Sequence, residues 1–215
     1  MENKTAHESI MQRRLESAVE ITAQLFIKHG IKSVKMTDIA NECGIGVNTL
    51  YRHFGSKNGI TVAAMTFMWN EMKKMFGNTF ETDAFAAQTG IKQIRILMRL
   101  YIVLYQAHPG FIKLLAEFDN LLIGGSIPKS ELKEYERSII NFYPVFEKAY
   151  FTGISDGTVR EIPDIMLFYL SFAHSLTELC KKFIQGELLP NDDFSDPEKE
   201  LGTLIDSAVF FLTNK

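Results

Sequence analysis

Residues 37–57 read Thr37-Asp38-Ile39-Ala40-Asn41-Glu42-Cys43-Gly44-Ile45-Gly46-Val47-Asn48-Thr49-Leu50-Tyr51-Arg52-His53-Phe54-Gly55-Ser56-Lys57. Two short helices joined by a tight turn account for this pattern. Thr37 can cap the first, which holds Asp38, Ile39, Ala40 and Cys43. Gly44-Ile45-Gly46 breaks it, because glycine tolerates positive φ at little cost. Val47 to Phe54 forms the second, with Leu50 and Phe54 four apart on one face. Ile39, Ala40, Ile45, Leu50 and Phe54 supply an apolar inner face. Asn48, Thr49, Tyr51, Arg52 and His53 leave hydrogen-bonding groups outside, suited to bases and phosphates. Helix, short turn, short helix is the layout of a helix-turn-helix DNA reader, whose second helix enters the major groove.

Working outward, the pattern is helical almost throughout. Upstream, Leu15, Ala18, Val19, Thr22, Leu25 and Phe26 recur at three- and four-residue steps. Thr5 and Glu8 have capping-box spacing and Gly30 suits a left-handed end, so the first helix runs from about Ala6 to His29. Downstream, Ser56 can cap a longer helix through Met65, Met68, Trp69, Met72 and Phe76. A fifth helix is expected over Gln88–Ala107, and a sixth from Pro109 to near Gly124. A seventh spans Ser130–Thr152 with a kink at Pro144. Pro163 opens an eighth that stops near Gly186, and a Ser195–Glu198 box starts a last one ending near Leu212. The expected fold is all-α with about nine helices. An N-terminal three-helix helix-turn-helix DNA-binding domain over residues 1–60 is followed by a larger helical ligand-binding and dimerisation domain over 61–215.

Composition agrees with a folded chain. Of 215 residues 46% are hydrophobic and 23% charged, enough for one or two cores and unlike a disordered or fibrous chain. Cys43 and Cys180 form no CxxC pair, which argues against a disulfide scaffold or structural zinc and for a reducing cytoplasm. The polar start Met1-Glu2-Asn3-Lys4-Thr5 lacks an apolar targeting core, and no apolar run approaches the ~20 residues that span a bilayer. No membrane partner is expected. Residues 1–60 hold 8 Lys+Arg against 6 Asp+Glu, whereas the rest hold 15 against 20, so a polyanion is expected at the N-terminal end. No phosphate loop, nucleophile elbow or HExxH motif occurs, and an enzyme is not expected. His174 and Glu178 are spaced i, i+4, but a metal needs more ligands; neither metal nor cofactor is expected.

The same central residues resemble the tetracycline-repressor-like (TetR) family. The resemblance rests on Thr37-Asp38-Ile39-Ala40, Gly44-Ile45, Thr49-Leu50-Tyr51-Arg52-His53-Phe54 and Ser56-Lys57, with Arg13 and Leu25-Phe26…Gly30 upstream. It covers about residues 10–60. It implies that Tyr51 and Lys57 hold phosphates and that Asn48, Thr49, Arg52 and His53 contact DNA. Thr37 and Val47, at the starts of the two short helices, and Arg13 and Arg14 on the first helix complete the candidate DNA contacts. Four features depart from the family pattern: Gly46 where a serine often caps the recognition helix, Asn48 for a frequent glycine, Asn58-Gly59 for acidic residues, and Cys43 for a usual alanine. Asn48 is therefore a candidate base reader.

The body has two expected tasks. Apolar and aromatic residues Phe76, Phe80, Met98, Tyr101, Phe118, Tyr143, Phe146, Tyr150 and Phe172, with His108, Glu117, Asp119 and His174 as polar anchors, are candidates for a small-molecule effector pocket. The eighth helix is apolar nearly all round at its start, and a helix apolar on more than one face needs a second partner. Phe168, Phe172, Leu176, Leu201, Leu204, Ile205, Ala208, Phe211 and Leu212 are candidates for a homodimer interface, which the resemblance implies is built from four helices. A two-fold dimer suits a palindromic double-stranded DNA operator. The expected function is a ligand-responsive repressor. The alternative is an activator or cell-division regulator that binds DNA and acts through a protein partner.

Overall fold

The stripe on the first helix closes against its neighbours: Leu15, Ala18, Thr22 and Phe26 are buried. The structure, a computed structural model, describes residues 2–186, 191 and 193–214, with side chains from Ile10 onward. Among the described residues it holds eleven α-helices and one 3-10 turn, and its only extended pairing is an isolated bridge between Val159 and Thr213. The chain divides into two compact units, Met1–Lys73 with Leu114–Ile140, and Lys74–Lys113 with Asn141–Lys215.

In the first unit α1 (Glu2–His29), α2 (Met36–Cys43), α3 (Val47–Phe54) and most of α4 (Lys57–Phe76) follow one another. Gly30 ends α1 with φ of 81° and Gly44 ends α2 with φ of 62°, the left-handed geometry expected of each. The apolar face of the two short helices is buried, with Ile39 and Leu50 fully inside, as are Phe26, Ile60 and Met65 of the flanking helices. The unit is completed by the larger part of α7 (Pro109–Ile123), a 3-10 turn (Lys129–Glu131) and α8 (Lys133–Ser138). Phe118 of α7 is fully buried, its ring 4.8 Å from that of Tyr135, whose hydroxyl accepts a hydrogen bond from Trp69 Nε1 at 3.3 Å.

The second unit packs α6 (Gly90–Ala107), α9 (Tyr143–Ser155), α10 (Ile165–Gln185) and α11 (Pro197–Leu212), with a short α5 (Asp83–Ala86) ahead of them. Ile94, Ala149, Leu176, Leu201, Ile205 and Leu212 are fully buried in its core. Helices α6 and α9 meet glycine to glycine: a Cβ on Gly90 would lie 2.1 Å from the Gly153 nitrogen. The N-terminus of α6 is held by the loop after α9. Gly90 N donates to Asp156 Oδ2 at 2.8 Å, and Ile91 N donates to Thr158 Oγ1 at 3.3 Å.

Four expectations need correction. Thr37 does not cap α2. The helix begins at Met36, because the Asp38 carboxylate reaches back to accept from Lys35 N at 2.8 Å. No single helix spans 130–152, because Pro144 lies in the first turn of α9, where a missing N–H costs nothing, and so starts a helix instead of kinking one. That split, with the short α5, raises the helix number above nine. Asp196, not Ser195, caps the last helix by accepting from Lys199 N at 3.1 Å. Helix α10 likewise starts at Ile165, one residue beyond its cap Asp164, and not at Pro163. The Thr5–Glu8 box lies outside the described side chains, although the helical backbone already runs from Glu2.

Candidate nucleic-acid interface and a small pocket

Helix α3 carries its polar groups on one side because a single buried residue, Leu50, anchors the other. Asn48, Tyr51, Arg52 and His53 are exposed, and Val47, Thr49 and Phe54 are half-buried. Tyr51 is 47% exposed. The cap position Gly46 offers no side chain to the first turn, so the amide end of α3 is open. Its far end is fixed by Gly55, whose φ of 72° turns the chain directly into α4.

The start of α4 lies next to α3. Ser56 Oγ accepts from Gly59 N at 3.1 Å, the cap expected of it. Lys57 Nζ donates to the Lys32 carbonyl at 3.3 Å, which draws the α1–α2 loop toward the start of α4. Partial burial lowers the Lys57 pKa, and the nearby Asp38 carboxylate opposes that shift. Helix N-termini with a lysine at their first residue are suited to a phosphate. Thr37 at the second residue of α2 is exposed, as are Arg13 and Arg14 on α1. All ten candidate DNA contacts lie in the first unit.

Two residues of this region had no assigned role in the sequence. A Cβ on Gly59 would lie 2.0 Å from the Phe54 carbonyl oxygen, so α4 approaches the end of α3 as closely as it does only because residue 59 is glycine. Asn58 Nδ2 donates to the Ser126 carbonyl at 2.6 Å, tying the start of α4 to the turn after α7. The departure from acidic residues at 58–59 was the available signal.

The second unit holds a small pocket of about 20 Å3, lined by Leu97, Met98 and Tyr101 of α6, Phe146 of α9, Phe142 before it, and Tyr169, Phe172, Ala173 and Leu176 of α10. Burial pushes the Tyr101 hydroxyl well above its ordinary range, with Thr177 partly opposing through a hydrogen bond. Tyr169 is raised by burial too. Both phenols are neutral, and no charged side chain is among the lining residues. Of the pocket candidates, Met98, Tyr101, Phe146 and Phe172 meet here. Tyr143 instead donates to Glu147 Oε1 at 2.8 Å, and the Tyr150 hydroxyl accepts from Ile162 N at 2.9 Å. Phe80 packs on Phe85 and Phe142, Phe76 is buried, His108 ends α6, and His174 is exposed. Glu117, Phe118 and Asp119 lie in the other unit, where Glu117 Oε2 accepts from Ile31 N at 2.6 Å. Leu97, Phe142, Tyr169 and Ala173 were missed, and Leu176, a candidate for the dimer interface, lines the pocket. Leu97 adjoins Met98, and Tyr169 and Ala173 lie within one turn of Phe172, so extending each face by a turn would have found them.

Among the interface candidates, Leu176, Leu201, Ile205, Ala208 and Leu212 are buried in the unit's own core. Phe168, Phe172 and Leu204 are half-buried, and Phe211 is exposed. Phe211 stacks on Phe168 at 5.6 Å and lies 4.2 Å beneath the Arg160 guanidinium. Met166, Leu167, Leu170 and Phe210 of the same two helices are also exposed, Phe210 by 72%. Among the described residues no helix is long and apolar enough to cross a membrane.

Residues 19–64 match the family model described as bacterial regulatory proteins, tetR family. The HTH-type transcriptional regulator YerO of Bacillus subtilis (strain 168) is 24% identical over 181 residues, 83% of this chain and 59% of that protein. An HTH-type transcriptional regulator of Staphylococcus aureus (strain USA300) is 46% identical over 41 residues, 19% of this chain and 22% of that one. The chain thus spans less than two thirds of the length of these relatives. Among solved structures, a transcriptional regulator from Saccharomonospora viridis in complex with choline superposes with a TM-score of 0.71 at 16% identity, over 96% of this chain and 100% of that one. At that identity the likeness speaks to the fold.

Proposed function

We propose that the chain is a DNA-binding transcriptional regulator of the tetR type, on the match of residues 19–64 to that family model, and that it binds a palindromic operator as a homodimer and releases it when a small effector enters the body. The observation that carries the proposal is the exposed polar face of α3, set between an open helix start at Gly46 and the Ser56–Lys57 corner. Residues 1–60 read DNA. Tyr51, Lys57, Arg13 and Arg14 hold phosphates, Asn48 reads a base, and Thr37, Val47, Thr49, Arg52 and His53 line the same contact. Residues 61–215 bind effector and pair the chains, and the regulator works in the cytoplasm.

The effector enters the aromatic cavity of the second unit. That site has five aromatic rings, two neutral phenols and no charged lining, which suits an apolar or aromatic molecule carrying one or two hydrogen-bonding groups. A volume of about 20 Å3 holds little more than one water molecule, so the effector selects a form in which those side chains have moved apart. It lowers operator affinity only by binding that form more tightly, and a tenfold loss needs ~1.4 kcal/mol of coupling. Pairing uses the exposed apolar faces of α10 and α11.

Anisotropy titrations on operator variants test the reading. Tyr51→Ala and Lys57→Ala are expected to weaken binding to every sequence, with log K falling against log salt by ~0.9 less per phosphate contact removed. Asn48→Ala is expected to change base preference by ~1–3 kcal/mol at one position. Unchanged affinity in all three variants removes α3 from the interface.

A further inference from the structure

The residues of α3 differ in how squarely they face away from the body, and that difference sorts the candidate contacts. Leu50 is the only buried residue of α3 and marks its inward direction. At about 100° per residue, Asn48 and Arg52 each lie about 160° from Leu50, one on either side of the outward direction. Thr49 and Tyr51 lie about 100° away, on the two flanks. Val47, His53 and Phe54 fall within about 60° of the inward direction. Burial follows this order. Asn48 and Arg52 are exposed, Val47 and Phe54 are half-buried, and the exposed His53 ring still rests edge-on against Phe54 at 4.6 Å.

The protein leaves both outward side chains unengaged. Among the described residues, no group bonds the Asn48 carboxamide or pairs with the Arg52 guanidinium. The residue before α3 is Gly46, so no capping side chain competes with Asn48 for the space over the first turn. Asn48 and Arg52 are four residues apart, which is about 6 Å along the helix axis. Successive bases of one strand are about 3.4 Å apart. The two side chains therefore reach bases no more than about two steps from each other.

Resting on the reading that α3 enters the major groove, we infer that Asn48 and Arg52 are its two base readers, Asn48 selecting an adenine and Arg52 a guanine in each half-site. A carboxamide offers one acceptor and one N–H donor, the complement of adenine, which shows an N7 acceptor beside an N6 donor. Guanine shows two acceptors, N7 and O6, and sets one of them against the carboxamide oxygen. A guanidinium has donors only, so it fits both guanine acceptors and meets a second donor on adenine. Thr49 and Tyr51, on the flanks, face the groove walls where the phosphates run. His53, turned toward Phe54, stays out of base readout.

The test is selection of bound duplexes from a randomised library by the full chain, followed by anisotropy on the selected site. Each half-site is expected to hold an adenine and a guanine at this spacing. Replacing either base should lower affinity about 5- to 150-fold, the range for one lost bidentate pair. In a repeated selection, Asn48→Arg is expected to exchange the adenine for a guanine and to keep the rest of the half-site. Arg52→Ala should make the guanine position indifferent to base. Adenine replaced by 7-deazaadenine, which lacks the N7 acceptor, should weaken the unaltered chain but not Asn48→Ala. That comparison holds even if the arginine variant folds poorly. A selected site that Asn48→Arg and Arg52→Ala both leave unaltered would overturn the inference while the operator reading stands. A preference that shifts only with Thr49→Ala or His53→Ala would move readout to the flanks and overturn it too. A chain that selects no sequence would bring down the operator reading and the inference with it.

Discussion

Gly59 shows how one hydrogen atom sets a surface. A methyl there meets the Phe54 carbonyl at 2.0 Å, and that oxygen belongs to backbone, which cannot swing aside. Gly59→Ala is expected to cost ~1–3 kcal/mol in urea melts, the usual range for overpacking, and to weaken DNA binding by tilting α3. Wild-type stability in that variant would show that the two helices have slack. Gly46 is the opposite case. Its φ of −59° and ψ of 134° suit any residue, and a Cβ there has no atom closer than 3.9 Å. Gly46→Ser is expected to raise stability by ~0.5–1 kcal/mol, through a restored cap and a less flexible unfolded chain. Chemical denaturation should show the gain without a change in operator sequence preference. The missing cap was visible in the sequence, since it needs only residue identity. The crowding at Gly59 was not, since it depends on where the Phe54 carbonyl, five residues earlier across the turn, ends up.

At the scale of elements, the α6 start depends on a loop 66 residues away. Asp156 is held below the ordinary carboxylate range chiefly by the Thr158 hydroxyl; desolvation opposes it, and the amides of Gly90 and Thr158 add to the lowering. A depressed folded pKa contributes stability above the unfolded value of ~3.9, and the contribution disappears as pH falls through the folded value. Thermal melts between neutral pH and pH ~3 should show this loss in the wild type and a shallower dependence in Asp156→Asn. Parallel curves for the two proteins would mean that the contact carries no linkage. Most elements were legible from periodicity with glycine and proline punctuation, including α1, α4, α6, α7 and α10 to within a few residues. The stretch from 130 to 152 was not, because apolar spacing continues across 139–142 while the backbone breaks there. A proline in such a run signals a helix start as readily as a kink.

For the whole molecule, the sequence marked α10 and α11 as an apolar pair but could not divide their faces. Leu201, Ile205, Ala208 and Leu212 point into the core, and Phe210 and Phe211 lie outside it. Periodicity finds a wide stripe; only packed neighbours tell which part is already covered. The cavity was legible in half its lining for the same reason, with Met98, Tyr101, Phe146 and Phe172 foreseen and their partners one turn away overlooked. Phe210→Asp with Leu167→Asp is expected to shift the chain from dimer to monomer in analytical ultracentrifugation while its helical circular dichroism is kept. A dimer surviving both changes would move the interface elsewhere.

The inward set on α10 and α11 has one more consequence. A polypeptide that has already spent Leu176, Leu201, Ile205 and Leu212 on its own interior does not borrow a sibling to stay folded. Should copies pair through α10 and α11 as proposed, thinning the solution would part them without melting them, and occupancy of a two-headed site would track the concentration of the chain.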